Sequence, residues 1–202
     1  MTAIRRRAVP DTRSRILDIA ERLVQTRGYN GFSYADVASE LKVTSASLHY
    51  HFAGKAQLGR ALIERYTDRF MESLAAIESG TLGAVERLEA YIELYARVLR
   101  KGRLCLCGML AADFQTLPRQ MRQAVLDFFN KNEGWLSRIL EAGRVDGSLR
   151  FEGLPEDVAR GIISSLEGAM LLSRPFGDTS RFESASANLL TGLAAKADGS
   201  RP

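Results

Sequence analysis

The 202-residue chain has two cysteines, Cys105 and Cys107, five prolines and one tryptophan. Two cysteines with one residue between them cannot form a disulfide framework and do not make a four-ligand zinc site. There is no run of about 18 apolar residues, which argues against a membrane span. The N-terminus, MTAIRRRAVPDTRSR, is basic but lacks the apolar core of a secretion signal, so a cytoplasmic protein is expected. Also missing are a Gly-rich phosphate loop, paired carboxylates at a chosen spacing and a Cys–His pair in the motif-bearing stretch. A small helical enzyme is therefore the weaker reading. A membrane-bound adaptor would need a continuous basic amphipathic helix, and none is present. No cofactor is expected.

Strand-like alternation is equally scarce, and the prolines fall near proposed helix ends or in the tails. The chain reads as all-α. Residues 1–55 carry nine Lys and Arg against five Asp and Glu, whereas residues 56–202 carry nineteen of each. All the excess positive charge thus lies in the first quarter, which points to an anionic partner there, nucleic acid before membrane surface. A solvated basic tail is the plainer alternative.

Helix is expected from Asp11 or Thr12, with Ile16, Ala20, Leu23 and Val24 as its apolar stripe and RGYNG (Arg27 to Gly31) as its end. Ser33 caps a short helix over Tyr34 to Leu41, and Thr44 caps another. Longer helices are expected over about 55–79, from 83 to about 101, near 105–114, over 118–144, over 155–172 and over 179–196. SRPFGD separates the last two.

The stretch VTSASLHYHF (Val43 to Phe52) sets one apolar Leu48 among hydroxyls, imidazoles and a tyrosine. A core helix would be more apolar and a plain surface helix more charged. Three helices, the second and third short and joined by a tight turn, match a helix-turn-helix, whose third helix enters the DNA major groove. Val43 and Leu48 then anchor the helix, and Ala38 leaves room for a close crossing. Ser45, Ala46, Ser47 and His49 face outward toward bases, with Tyr50, His51 and Lys55 placed to hold phosphates. A metal site at His49 and His51 is disfavoured, because residues two apart point to different helix faces. Arg5, Arg6 and Arg7 suit a flexible basic arm (residues 1–10) reaching the adjacent minor groove, or a solvated tail.

Residues 12–62 resemble the N-terminal DNA-binding domain of the TetR family of bacterial transcriptional regulators, on the framework A…GY.G.S..DVA..L.VT…L..HF..K..L. The resemblance implies phosphate contacts from Ser33, Tyr34, Thr44, Tyr50, His51 and Lys55. It implies base reading at Ala35, Ser45, Ala46, Ser47 and His49. Two positions depart from the pattern: Lys42 stands where the turn usually carries Gly, and His49 where a tyrosine is usual. A left-handed Lys42 would cost on the order of 1 kcal/mol.

The resemblance also implies a helix-turn-helix domain over 1–55 and a helical effector-binding and dimerisation domain over 56–202. The protein would be a repressor that binds a palindromic operator as a homodimer and is released by an unknown small molecule. The dimer interface is expected from two C-terminal stripes, Val158, Ile162, Leu166 and Met170, then Phe182, Ala185, Leu189 and Leu193, with Gly161, Ser165 and Gly168 permitting close approach. Effector-lining residues are expected among Tyr91, Tyr95, Met109, Phe114, Phe128, Phe129 and Trp135, although core is the ordinary place for an aromatic. Cys105 and Cys107, at an expected helix start just after Lys101 and Arg103, suggest an alternative. This segment is similar to one in TetR-family repressors of which some sense electrophiles through cysteine. A helix N-terminus and nearby positive charge favour thiolate, and a small buried hydrophobe is the competing role.

Overall fold

The computed structural model describes residues 11–80 and 82–195. The arm proposed for residues 1–10 lies outside them. Helix α1 (Thr12–Arg27) opens where Asp11 accepts a hydrogen bond from the Ser14 N–H at 2.6 Å, and its buried face is the expected Ile16, Ala20, Leu23 and Val24. Gly28 ends it with φ +78°. Helix α2 (Tyr34–Leu41) begins with a reciprocal box: the Ser33 hydroxyl accepts from the Asp36 N–H, while the Asp36 carboxylate accepts from the Ser33 N–H. Thr44 then caps α3 (Ser45–His51) by accepting from the Ser47 N–H. Between α2 and α3, Lys42 takes φ +59°, the one non-glycine among the described residues with positive φ. The tight turn therefore does demand the left-handed backbone that glycine adopts more cheaply.

Helix α4 (Lys55–Glu78) runs from this three-helix head into the rest of the chain. The division proposed at residues 55 and 56 thus falls on the first turn of a continuous helix. Arg65 on α4 reaches back to Asp18 and Glu21 of α1, both at 2.8 Å, while Gly59 lets Met121 of the facing helix approach where a Cβ would stand 2.6 Å from its sulfur. Then follow α5 (Ala84–Leu99), α6 (Leu106–Ala112), a 3-10 turn (Phe114–Thr116), α7 (Arg119–Asp146), α8 (Pro155–Phe176) and α9 (Ser180–Leu193). Helix α7 packs on α4 and α8, and α8 on α9.

Two helix ends differ from the sequence reading. Helix α8 continues through Pro175 to Phe176 and stops at Gly177, φ +60°. A proline in the last turn gives up one backbone hydrogen bond but fits the helical φ, so the glycine makes the stop. Helix α9 ends at Leu193 because Ala194 is extended and pairs with Leu149 in an isolated antiparallel bridge.

The residues expected at the dimer interface divide by burial. Ile162, Leu166, Met170, Phe182 and Leu193 are buried within this chain's own core. Val158 and Leu189 are half-buried, and Ala185 is exposed. Helix α8 lies against both α7 and α9, and Val158, Ile162, Leu189 and Leu193 border a shallow groove along α8 and α9. The side left open carries Gly161, Ser165 and Leu172 on α8, with Ala185, Asn188 and Gly192 on α9.

Candidate nucleic-acid interface and effector cavity

In α3 only Leu48 is buried, completely, among the core side chains of the head. Burying a leucine stabilises by roughly 1.5–3 kcal/mol, and here that energy fixes a helix whose other side chains contribute little to packing. Thr44, Ser45, Ala46, Ser47, His49 and Tyr50 are exposed and His51 is half-buried. Tyr50 is 87 % exposed, a large aromatic ring with no core to enter. The small residues of the first turn allow close approach to base edges, and the following rings and hydroxyls supply donors at the rim.

The remaining expected contacts divide differently. Ala35 is exposed beside the start of α2. The Ser33 hydroxyl donates to Asp36 at 2.6 Å, so its proton is committed to the cap. The Tyr34 hydroxyl donates to the Phe52 carbonyl at 3.0 Å, and its ring lies 4.9 Å from the His49 ring. Burial pushes its pKa up to about 12. Tyr34 is therefore a strut between α2 and the end of α3, with its donor already used. His49 Nδ1 lies 3.2 Å from the Ala53 carbonyl, which leaves Nε2 facing outward.

Lys55 is turned inward. Its Nζ donates to the carbonyls of Tyr29 and Phe32 and lies 4.5 and 4.4 Å from the centroids of those two rings. Burial lowers its pKa. Two of its three donors pin the loop after α1, leaving one for a phosphate. Asp36 and Glu40 pair with Arg27 and Arg22 and stitch α2 to α1.

The aromatics expected to line an effector site mostly do something else. The hydroxyls of Tyr91 and Tyr95 lie 2.9 Å apart, and Asn132 accepts from Tyr91 at 2.9 Å while donating to Tyr95 at 3.1 Å. All three are buried, so this closed triangle satisfies its own polar groups inside the core. Trp135 stacks on Tyr91 and donates its indole N–H to Glu78 at 3.1 Å. Phe128 is fully buried, and Phe114 packs half-buried against the core. Of the expected residues, Met109 and Phe129 line an apolar cavity of about 490 Å³ between α6, α7 and α8. Tyr95 and Cys105 line a smaller one of about 300 Å³, near Arg69, Arg97 and Lys101.

Both thiols are buried. Burial, and after it the Glu167 carboxylate, push the Cys105 thiol well above its ordinary pKa. Burial likewise raises Cys107. The expected tilt toward thiolate is thus reversed, because desolvation and a neighbouring acid outweigh Lys101 and Arg103.

The residue missed from sequence is Glu167. It lines the 490 Å³ cavity with Leu104, Met109, Phe129, Ile163 and Leu171, and its Oε1 is buried without a hydrogen-bond partner in the described chain. Its other oxygen lies so close to α6 that a Cβ on Gly108 would meet it at 2.1 Å. Burial raises its pKa from 4.5 to about 7. A carboxylate following Leu166 and preceding Met170 in an otherwise apolar register was the available signal.

The wall of this cavity is tied to the reading head. Asp113, at the end of α6, accepts from the Tyr29 N–H at 2.7 Å. Asn30 donates to Thr116 at 2.8 Å, and the Leu104 N–H to the Gln25 carbonyl at 3.2 Å. Arg174 of α8 donates to the Thr26 carbonyl. Displacing α6 or α8 therefore moves the end of α1.

A rigidly presented, polar third helix joined to a cavity-bearing helical body defines a DNA-binding regulator of the helix-turn-helix class. Comparison with known proteins sharpens this. Residues 16–62 match the model of the bacterial regulatory proteins of the tetR family, and residues 84–189 match the tetracyclin repressor-like C-terminal domain. The chain belongs to the TetR family of transcriptional regulators. It is similar to a TetR transcriptional regulator from Legionella pneumophila, at 32 % identity and TM-score 0.85, covering 92 % of this chain and 99 % of that one. A TetR-family regulator from Agrobacterium tumefaciens gives 30 %, 0.87, 91 % and 97 %. The transcriptional repressor NemR of Escherichia coli K12 is 28 % identical over 82 % of this chain and 87 % of its own. The crystal structure of reduced E. coli NemR superposes with TM-score 0.79, over 93 % of this chain and 100 % of that one. No helix among the described residues is long and apolar enough to cross a membrane.

Proposed function

We propose that this TetR-family repressor binds a two-fold operator as a homodimer and is released by a small molecule entering the α6–α7–α8 cavity. The observation that carries this reading is the pairing of an α3 with one buried residue and a cavity wall hydrogen-bonded to the end of α1. One helix-turn-helix reads only a few base pairs, so specificity calls for two copies at a fixed spacing. The face suited to the second copy is the open side of α8 and α9, where Gly161, Ser165 and Gly192 border a shallow groove with Asn188 and Leu189. A ligand that fits only a displaced α6 shifts the population toward a head spacing that no longer matches the operator.

Fluorescence anisotropy with DNA from beside the protein's own gene tests the reading. A preferred duplex, bound by two chains and at least about a hundredfold tighter than random duplex at physiological salt, is expected. Equal weak binding to every duplex would overturn it. Enlarging the groove contact, as in Gly161→Trp, should yield monomers that lose operator binding.

A second route to release runs through thiol chemistry. Cys105 borders the smaller cavity beside Arg69, Arg97 and Lys101, which would draw an anionic electrophile inward. Its burial and raised pKa make it a slow nucleophile at rest, so reaction would have to follow opening of α6. If Cys105→Ser and Cys107→Ser both leave release by N-ethylmaleimide unchanged, this route is closed.

A further inference from the structure

The effector reading leaves open what the cavity selects, and the inference here rests on that reading. We propose that the α6–α7–α8 cavity takes a small apolar molecule carrying a protonated amine, whose ammonium pairs with Glu167. The walls are Leu104, Met109, Phe129, Ile163 and Leu171, and the volume of about 490 Å³ suits a small ligand. Glu167 lines this apolar space beside the Cys105 thiol, and its buried Oε1 has no hydrogen-bond partner among the described residues. A buried acceptor with no partner costs about 1–3 kcal/mol, more when charged, which a ligand supplying N–H groups recovers.

The protein's own cations do not meet that need: Arg174, with its guanidinium 4.0 Å from the Met109 sulfur, donates to the Thr26 carbonyl. Arg160 lines the same cavity, but its guanidinium is held by Glu133 at 3.2 Å and by Asp157 at 2.8 Å. Glu133, Glu167 and Arg160 together leave the lining one negative charge in excess when Glu167 is ionised. The other titratable groups that act on this site are Cys105 and Cys107 of the α6 segment, Tyr66 of α4, and Tyr91 and Tyr95 of α5. All are neutral at neutral pH in their raised states. None offers positive charge. An anionic ligand would add a second negative charge beside Glu167, and a neutral hydrocarbon would leave the oxygen unpaired.

Proton linkage gives the pairing its own signature. The empty site holds Glu167 with a pKa of about 7, so part of the population is protonated at neutral pH. An ammonium stabilises the carboxylate, so binding expels protons and tightens as pH rises through 7.

The test is isothermal titration calorimetry on the full chain with 2-phenylethylamine and its neutral counterpart 2-phenylethanol, on the wild type and on Glu167→Gln. The amine should bind the wild type at least about tenfold tighter than the alcohol, as one charge-assisted hydrogen bond allows. Its heat should differ between phosphate and Tris buffers in the sense of proton release. Both the preference and the proton release should vanish in Glu167→Gln, with folding checked by circular dichroism. An amine preference that survives the substitution would overturn the proposal. Equal binding of both probes, each loosening operator DNA, would also overturn it while sparing the effector cavity. Failure of both probes to bind would count against both readings, and Gly168→Trp, which fills the cavity, should abolish any binding seen.

Discussion

The reading head and the cavity use polar groups in opposite ways. In α3 the polar side chains are turned out and one apolar residue holds them in place. In the cavity the apolar side chains form the surface and one polar residue is hidden among them. A groove-inserted helix must leave its donors solvated until DNA replaces water, so it can keep only a minimal anchor. A selective cavity needs the reverse, because a charge counts for more where water is excluded. The head reads an abundant polyanion, whereas the cavity, on the proposed reading, has to recognise a few atoms.

The largest expected effect tests the anchor. Leu48→Ala should cost about 3 kcal/mol of head stability, in the usual range for a buried leucine. Operator binding should fall with it, while the cavity, lined by α6, α7 and α8, keeps its ligand affinity. Anisotropy and calorimetry on one preparation separate the two, and parallel loss of both would erase the contrast between the regions.

Next comes the hidden carboxyl. Holding Glu167 from 4.5 up to about 7 makes its ionisation cost roughly 3 kcal/mol, at about 1.4 kcal/mol per pH unit. The folded-state pKa of an acid is raised, so the penalty is absent below about pH 4.5 and complete above about 7. Glu167→Gln should therefore raise the melting temperature at pH 8 and leave it nearly unchanged at pH 4.5. A gain of the same size at both values would mean that ionisation is not its source.

The link between regions should show a smaller change. Asp113→Ala strips the acceptor from the Tyr29 N–H and should cost about 1–2 kcal/mol. Ligand should still bind but loosen operator DNA less, read as a reduced ratio of operator affinities with and without ligand. The smallest effect belongs to Lys42→Gly. Relief of φ +59°, offset by the entropy glycine adds to the unfolded chain, should stabilise by about 0.5 kcal/mol in urea titrations.

The head was legible in detail. Ser33 and Thr44 cap the helices where the sequence placed caps, α1 starts at Thr12, one of its two expected starts, and the left-handed strain at Lys42 falls where the framework marked it. The cavity was not. The aromatic residues chosen as its lining, Tyr91, Phe128 and Trp135, are core, and the proposed interface residues Ile162, Leu166 and Met170 face inward. An apolar residue at helical spacing announces burial but not what it is buried against.

By itself the sequence determined where the helices begin, which face of each is apolar, and that α3 carries a single anchor. Capping and i, i+4 periodicity act over one or two turns and need no knowledge of the rest of the chain. Only the tertiary structure decided that Lys55 turns inward to two carbonyls, that Arg174 grips the end of α1, and that the Glu167 Oε1 is buried without a partner. Those outcomes depend on which distant helices meet and how much water remains between them, and desolvation is a property of that meeting, not of any one residue.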